Sequence, residues 1–173
     1  MGETHAQRQK RWEKDGHMTS VQCSGISRNG QQCKRRTRRS EYCYFHLEQI
    51  EHVKIKKSGI PHSGMGLYTT IPVRAGKKIA FYGKNEFVNR DPDYGGTYAV
   101  QVKRNSPTFI NAWRSTDSAG RFSNMARSGY ANQGSNNAGI GYSAVKHSAF
   151  IKAGRHGIPA GREVKTSYGR SYW

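Results

Sequence analysis

The chain has 173 residues, room for one ordinary domain and a small appendage. Apolar residues make up only 34% and glycine numbers 20, a balance that favours short strands and turns over long helices. With a formal charge of +18, no apolar run long enough for a transmembrane helix and no apolar stretch near Met1, the sequence reads as neither a membrane nor a secreted protein.

Where the charge sits is informative. Residues 1–52 hold 10 Lys/Arg against 6 Asp/Glu, a net of +4, and residues 53–173 hold 19 against 5, a net of +14. The excess belongs to the main domain, and a field of that sign attracts polyanions such as DNA, RNA or a nucleosome surface. Solubility or a membrane surface is the alternative, though no amphipathic helix supports the latter. Three cysteines are an odd number for a disulfide scaffold, which favours a reducing compartment. Met1-Gly2 is not followed by Ser or Thr at position 6, where Ala6 stands, so myristoylation is not expected.

In chain order, residues 1–20 are polar and charged without an apolar period and read as a flexible basic arm. Residues 21–50 hold all three cysteines as Cys23-x9-Cys33-x9-Cys43-x2-His46. The short final spacing lets two ligands from one turn face one ion, and three thiols plus an imidazole suit tetrahedral Zn2+ in a closed, structural site. Thirty residues build little core, so the metal would supply the folding energy of this knot. The alternative is three free thiols and a surface histidine. Between the second and third cysteines, Lys34, Arg35, Arg36, Arg38 and Arg39 place five charges in six residues. That run suits phosphate contact or a nuclear address, or else a solvated loop.

Residues 53–83 predict three strands: Val53 to Lys57, Gly66 to Ile71 and Lys78 to Tyr82, separated by Gly- and Pro-containing turns. Residues 84–113 begin as polar loop and continue into strands at Thr97 to Val102 and Thr108 to Trp113. Residues 114–148 are rich in Ser, Gly and Asn and read as a long loop, functional or mobile. A strand at Ala149 to Ala153, a turn at Ile158-Pro159-Ala160-Gly161 and a strand at Glu163 to Ser167 close the pattern. Ile71-Pro-x-x-x-Gly76 is echoed by Ile158-Pro-x-Gly161, which suggests two similar corners in one β fold.

Taken together, the stretches Gly64-Met65-Gly66-Leu67-Tyr68, Phe81-Tyr82-Gly83, Phe109-Ile110-Asn111-Ala112, Gly120-Arg121-Phe122-Ser123-Asn124, Asn136-Asn137-Ala138 and Gly161-Arg162-Glu163-Val164-Lys165-Thr166-Ser167-Tyr168-Gly169 resemble, in order and spacing, the motifs of SET-domain protein lysine methyltransferases. The likeness spans residues 53–173, and the closing Ser167-Tyr168-Gly169-x-x-Tyr172-Trp173 is similar to short stand-alone viral SET proteins. The fold class expected is therefore mainly β (α+β), with small twisted sheets, a threaded C-terminal segment and the N-terminal knot beside it.

The resemblance implies S-adenosylmethionine as cofactor and a target lysine on a histone or another chromatin protein as substrate. It implies catalytic roles for Tyr168 and Tyr82, and a cofactor site from Gly64, Met65, Gly66, Leu67, Asn124, Met125 and Trp173. It also implies a lysine channel from Tyr82, Tyr98 and Tyr172. Tyr82 and Tyr98 have core packing as their alternative, and Trp173 a plain hydrophobic anchor. A nuclear or virion location, proximity to DNA or a nucleosome, and a homodimer are further expectations of that likeness. Three positions depart from the pattern. Met125-Ala126 stands where the family has His-Ser, Arg162 replaces the first glutamate of the final motif, and no cysteine-rich segment follows Tyr168. The readings that compete with an enzyme are an inactive SET scaffold that binds nucleic acid or chromatin, and a basic virion or assembly protein.

Overall fold

A computed structural model describes residues 20–83, 85–88, 99–101, 107–112, 118–126 and 135–167. The arm up to residue 19 and the site candidates Tyr98, Tyr168, Tyr172 and Trp173 lie outside the described residues.

The knot comes first. Strands β1 (Val21–Gln22) and β2 (Arg36–Thr37) pair antiparallel, and a short helix α1 (Tyr44–His46) continues into a π-helical turn, Leu47–Glu51. His52 ends that turn in the left-handed region at φ 55°. β3 (Val53–Lys57) and β4 (Met65–Thr69) then form an antiparallel pair, with Ile55 opposite Leu67. Alternation sends Val53 inward and Lys54 and Lys56 outward, as period-2 patterning requires.

The main sheet has the order β11-β9-β10-β5, built from β5 (Lys78–Gly83), β9 (Ala138–Ser143), β10 (Ser148–Ala153) and β11 (Thr166–Ser167). β10 is antiparallel to both neighbours and β11 is parallel to β9. A further sheet, β6-β8-β7, joins β6 (Asn85–Val88), β8 (Thr108–Asn111) and β7 (Ala99–Gln101). A 3-10 turn at Ala119–Phe122 packs on β5. The core under these sheets includes Val53, Leu67, Tyr82, Ile110, Ile151 and Val164, all essentially closed to solvent. The architecture is mainly β with small sheets.

Two segments differ from the sequence expectation. β9 falls inside the stretch read as a loop, because Ala138-Gly139-Ile140-Gly141 carries little apolar signal and two glycines. Tertiary pairing overrides that weak propensity: β9 is bonded to β10 on one edge and β11 on the other, and the Phe150 ring covers the bare face of Gly141. β6 likewise lies in the part read as polar loop. The final strand is shorter than expected, with only single bridges at Glu163 and Lys165 ahead of β11. The two echoed corners pair with each other: Val73 and Ile158 exchange reciprocal backbone hydrogen bonds of 2.8 Å.

Candidate functional site

The knot brings its four predicted ligands together. The Sγ atoms of Cys23, Cys33 and Cys43 and a ring nitrogen of His46 all lie within 4.8 Å of one another. Nδ1 of His46 is 3.3 Å from Cys23 Sγ and 3.5 Å from Cys43 Sγ. A tetrahedral zinc ion with ordinary bond lengths separates neighbouring sulfur and nitrogen ligands by about 3.6 Å. Donor set and spacing therefore fit such an ion, and the group is compatible with zinc.

The surroundings also suit the ion. Nε2 of His46 lies 3.0 Å from the Ile26 carbonyl, which holds the proton on that nitrogen and turns the lone pair of Nδ1 towards the sulfurs. Backbone N–H groups of Gly25 and Cys43 point at Cys23 Sγ at 3.4 and 3.1 Å, as they would at a thiolate. Burial pushes the Cys23 thiol up. Burial also pushes Cys43 up, but the His46 backbone N–H and the contacts of Cys43 with Cys23 and His46 outweigh it and bring it to about 7. Metal binding requires all three as thiolates. Gly25 is needed for steric reasons, since a Cβ there would overlap the His46 ring.

A second meeting point lies in the main domain. Asn124 Nδ2 donates to the Met65 carbonyl at 2.9 Å, and the Asn124 backbone bridges to Lys165 and accepts from Thr166 N–H at 2.8 Å. Val164 N–H donates to Leu67 O at 2.7 Å. The 64–67, 120–124 and 161–167 stretches are thus neighbours, and the C-terminal segment runs between β4 on one side and the 124 and 137 segments on the other. Gly64 is left-handed at φ 66°, and among the described residues nothing lies within 4 Å of where its side chain would begin. Met125 is half-buried, and the adjoining Ala126 is buried with its N–H held by Asn136 Oδ1 at 2.9 Å.

Tyr82 belongs to the centre of the main core, with no exposed surface. Tyr98, Tyr168, Tyr172 and Trp173 are outside the described residues, so the structure neither brings them to this point nor places them elsewhere.

Two residues carry more of this meeting point than the sequence reading assigned to them. Glu163 accepts from Ser58 Oγ at 2.5 Å and Gly59 N–H at 3.0 Å, and lies 3.3 Å from Tyr68 OH and 3.4 Å from Asn124 Nδ2. Burial, and then the Glu163 charge, raise the Tyr68 hydroxyl above its ordinary range. Asn137 uses both ends of its amide, donating to Glu163 O at 2.9 Å and accepting from Lys165 N–H at 2.8 Å. Their only sequence signal was membership of the quoted motifs.

The predicted cations are divided. Arg35, Arg36, Arg38 and Arg39 line a cavity of about 580 Å³ between the knot and β3, whereas Lys34 lines a second hollow of the knot with Ser27, Asn29 and, again, Arg35. Among the described residues no helix is long and apolar enough to cross a membrane. No protein-family model matches the chain, and no curated protein matches its sequence.

Proposed function

We propose that the chain is an S-adenosylmethionine-dependent protein-lysine N-methyltransferase acting on a histone or another chromatin-associated protein. The observation that supports it is the meeting of Met65, Leu67, Asn124, Val164 and Lys165. These residues come from the three stretches that the resemblance assigns to the cofactor site and to the strand entering Tyr168.

The local chemistry suits such a ligand. The backbone beside Met65 is open at Gly64, and Thr166 Oγ1 is buried without a hydrogen-bond partner among the described residues. Gly64, Met65, Gly66, Leu67, Asn124 and Met125 would hold the cofactor, with Trp173 closing over it. When bound, the cofactor supplies a methyl group activated on a sulfonium. The chain's own task is to present a neutral lysine amine, which at pH 7 costs roughly 4–5 kcal/mol from a pKa near 10.4. The resemblance assigns Tyr82, Tyr98 and Tyr172 to an aromatic channel, which would lower that cost by desolvating the ammonium. Bulk water takes the proton, since carboxylates are few. By the same resemblance the Tyr168 hydroxyl would act near the methyl group being transferred. The zinc ion of the knot is structural in this reading, because its four protein ligands leave no open position.

The basic main domain favours a second reading, an inactive scaffold that binds nucleic acid or chromatin, with Met125-Ala126 in place of His-Ser as its second support. Calorimetric titration of S-adenosylmethionine into zinc-loaded protein, with Tyr168→Phe alongside, separates the two. Binding by both proteins with methyl transfer to nucleosomes by the wild type alone is the expected result. No binding by folded wild type sinks the enzyme.

A further inference from the structure

We infer that the cavity between the knot and β3 is a binding groove for single-stranded nucleic acid, with phosphates along its floor and a base on the exposed aromatic pair of α1. The groove has two basic walls that are distant in sequence. One is the loop between the second and third metal ligands, with Arg35, Arg36, Arg38 and Arg39. The other is β3, with Lys54 and Lys56. All six side chains belong to exposed residues. None of the described lining residues is acidic; Glu41 stands in the chain between the lining residues Ser40 and Tyr42, and Glu48 pairs with Lys54 at 2.7 Å with both side chains solvent-open. Such a pair is weak and readily exchanged for phosphate.

The walls are held rigidly. Arg36 is in a strand paired with β1, and its guanidinium donates to Ser20 O and Oγ at 2.6 and 3.0 Å. The whole loop is pinned at Cys33 and Cys43. On the β3 wall, Lys54 and Lys56 leave one face with Cα atoms about 6.6 Å apart, Lys54 reaching Glu48 at 2.7 Å and Lys56 lying over the Tyr68 ring at 4.1 Å.

Charge alone would fit any polyanion. The aromatic pair selects among them. Tyr44 and Phe45 are 65% and 45% exposed, large values for rings on a small knot. Their centroids are 4.1 Å apart, and the Arg35 guanidinium lies 4.6 Å from the Phe45 ring and 5.4 Å from that of Tyr44. An arginine backing exposed rings beside a phosphate groove is the combination on which unpaired bases stack. A duplex would hide the base faces that the rings need. The inference is independent of whether the chain methylates.

Fluorescence anisotropy tests it on the zinc-loaded full chain, with a labelled oligo-dT of about 12 nucleotides and the matching dT·dA duplex. The single strand is expected to bind more tightly than the duplex and to weaken steeply between about 50 and 200 mM salt. Arg38→Glu with Lys56→Glu should cost at least about tenfold. Lys146→Glu with Arg155→Glu, an equal change of charge on exposed residues outside the groove, should cost far less. Tyr44→Ala with Phe45→Ala should weaken the single strand about fivefold or more. Zinc content and circular dichroism confirm that each variant is folded. Absence of binding at low salt, equal losses from the two charge variants, a preference for duplex, or indifference to the aromatic change would each overturn the assignment.

Discussion

Ser58 and Glu163, 105 positions apart, share a 2.5 Å hydrogen bond that ties the loop after β3 to the C-terminal segment. The same carboxylate takes the Gly59 N–H and approaches Tyr68 OH and Asn124 Nδ2. It is 8% exposed, and three separate parts of the chain converge on it. Glu163→Ala strands the Ser58 hydroxyl and takes one of two acceptors from Gly59 N–H, Tyr68 OH and Asn124 Nδ2, and a buried donor left without a partner costs about 1–3 kcal/mol. The expected loss is about 3 kcal/mol, read as a lower urea midpoint at unchanged slope. Glu163→Gln keeps an acceptor and should lose less than half as much. Equal losses from the two would show that the hydrogen bonds are not what the carboxylate contributes.

Gly66 tests the same contact from the other side. A Cβ there would run into the Glu163 carboxylate and lie 3.2 Å from the Ser58 backbone, which cannot move as a side chain can. Gly66→Ala is therefore expected to destabilise by about 1–3 kcal/mol, the range for an overpacked core. Combined with Glu163→Ala, which empties the space, the penalty should shrink well below additivity. Strict additivity in a double-mutant cycle would dismiss the steric account.

The metal site allows a test that changes no ligand. Gly25→Ala places a methyl group where the His46 ring lies, so the ring must swing away from the sulfurs. Purified wild type should carry one zinc per chain by elemental analysis, and Gly25→Ala clearly less, with weaker retention against chelators. Full zinc occupancy in Gly25→Ala would mean that His46 is not a ligand. Removing zinc from the wild type should loosen residues 21–50 in hydrogen exchange while β5, β9 and β10 stay more protected, since most of the core beneath them comes from outside the knot, which contributes Leu47 and the partly buried Tyr42.

How much of this was legible in the sequence follows from the range of the interactions. The metal group could be read because a ligand set is written in residue type and local spacing, and Cys43-x2-His46 folds into one turn. β3 and β5 could be read because Val53 to Lys57 and Lys78 to Tyr82 carry their own apolar pattern. β9 could not, because its Gly139 and Gly141 become strand only by pairing with residues on both sides. Glu163 and Asn137 looked like ordinary polar residues, since what distinguishes them is the set of groups from distant segments that surrounds them. Of the six cations lining the cavity between the knot and β3, four were visible in the run from Lys34 to Arg39. The other two, Lys54 and Lys56, read simply as the polar face of a strand, and Lys34, the first member of the run, is not among the lining residues.

Glu51 should give the protein a pH-dependent stability of unusual sign for a carboxylate. Burial, and then the nearby charge of Glu41, raise its carboxyl from 4.5 to about 7, against the opposing pull of Lys78. Its Oε2 is enclosed with no hydrogen-bond partner among the described residues. Below about pH 4.5 the group is protonated in both folded and unfolded chains and makes no difference. Between about 4.5 and 7 the unfolded chain gives up the proton while the folded one keeps it, so stability falls as pH rises; above about 7 both are ionised and the loss is complete. The full loss is on the order of 3 kcal/mol. Glu51→Gln is neutral throughout and escapes it. With zinc saturating, the stability advantage of Glu51→Gln over wild type should be near zero below about pH 4.5, reach about 40% of its full size near pH 5.5, grow through pH 7 and level off by about pH 8. Acid-induced metal loss is shared by both proteins and cancels in the difference. An advantage that is flat across that span would show that Glu51 ionises at its ordinary pH in the folded chain.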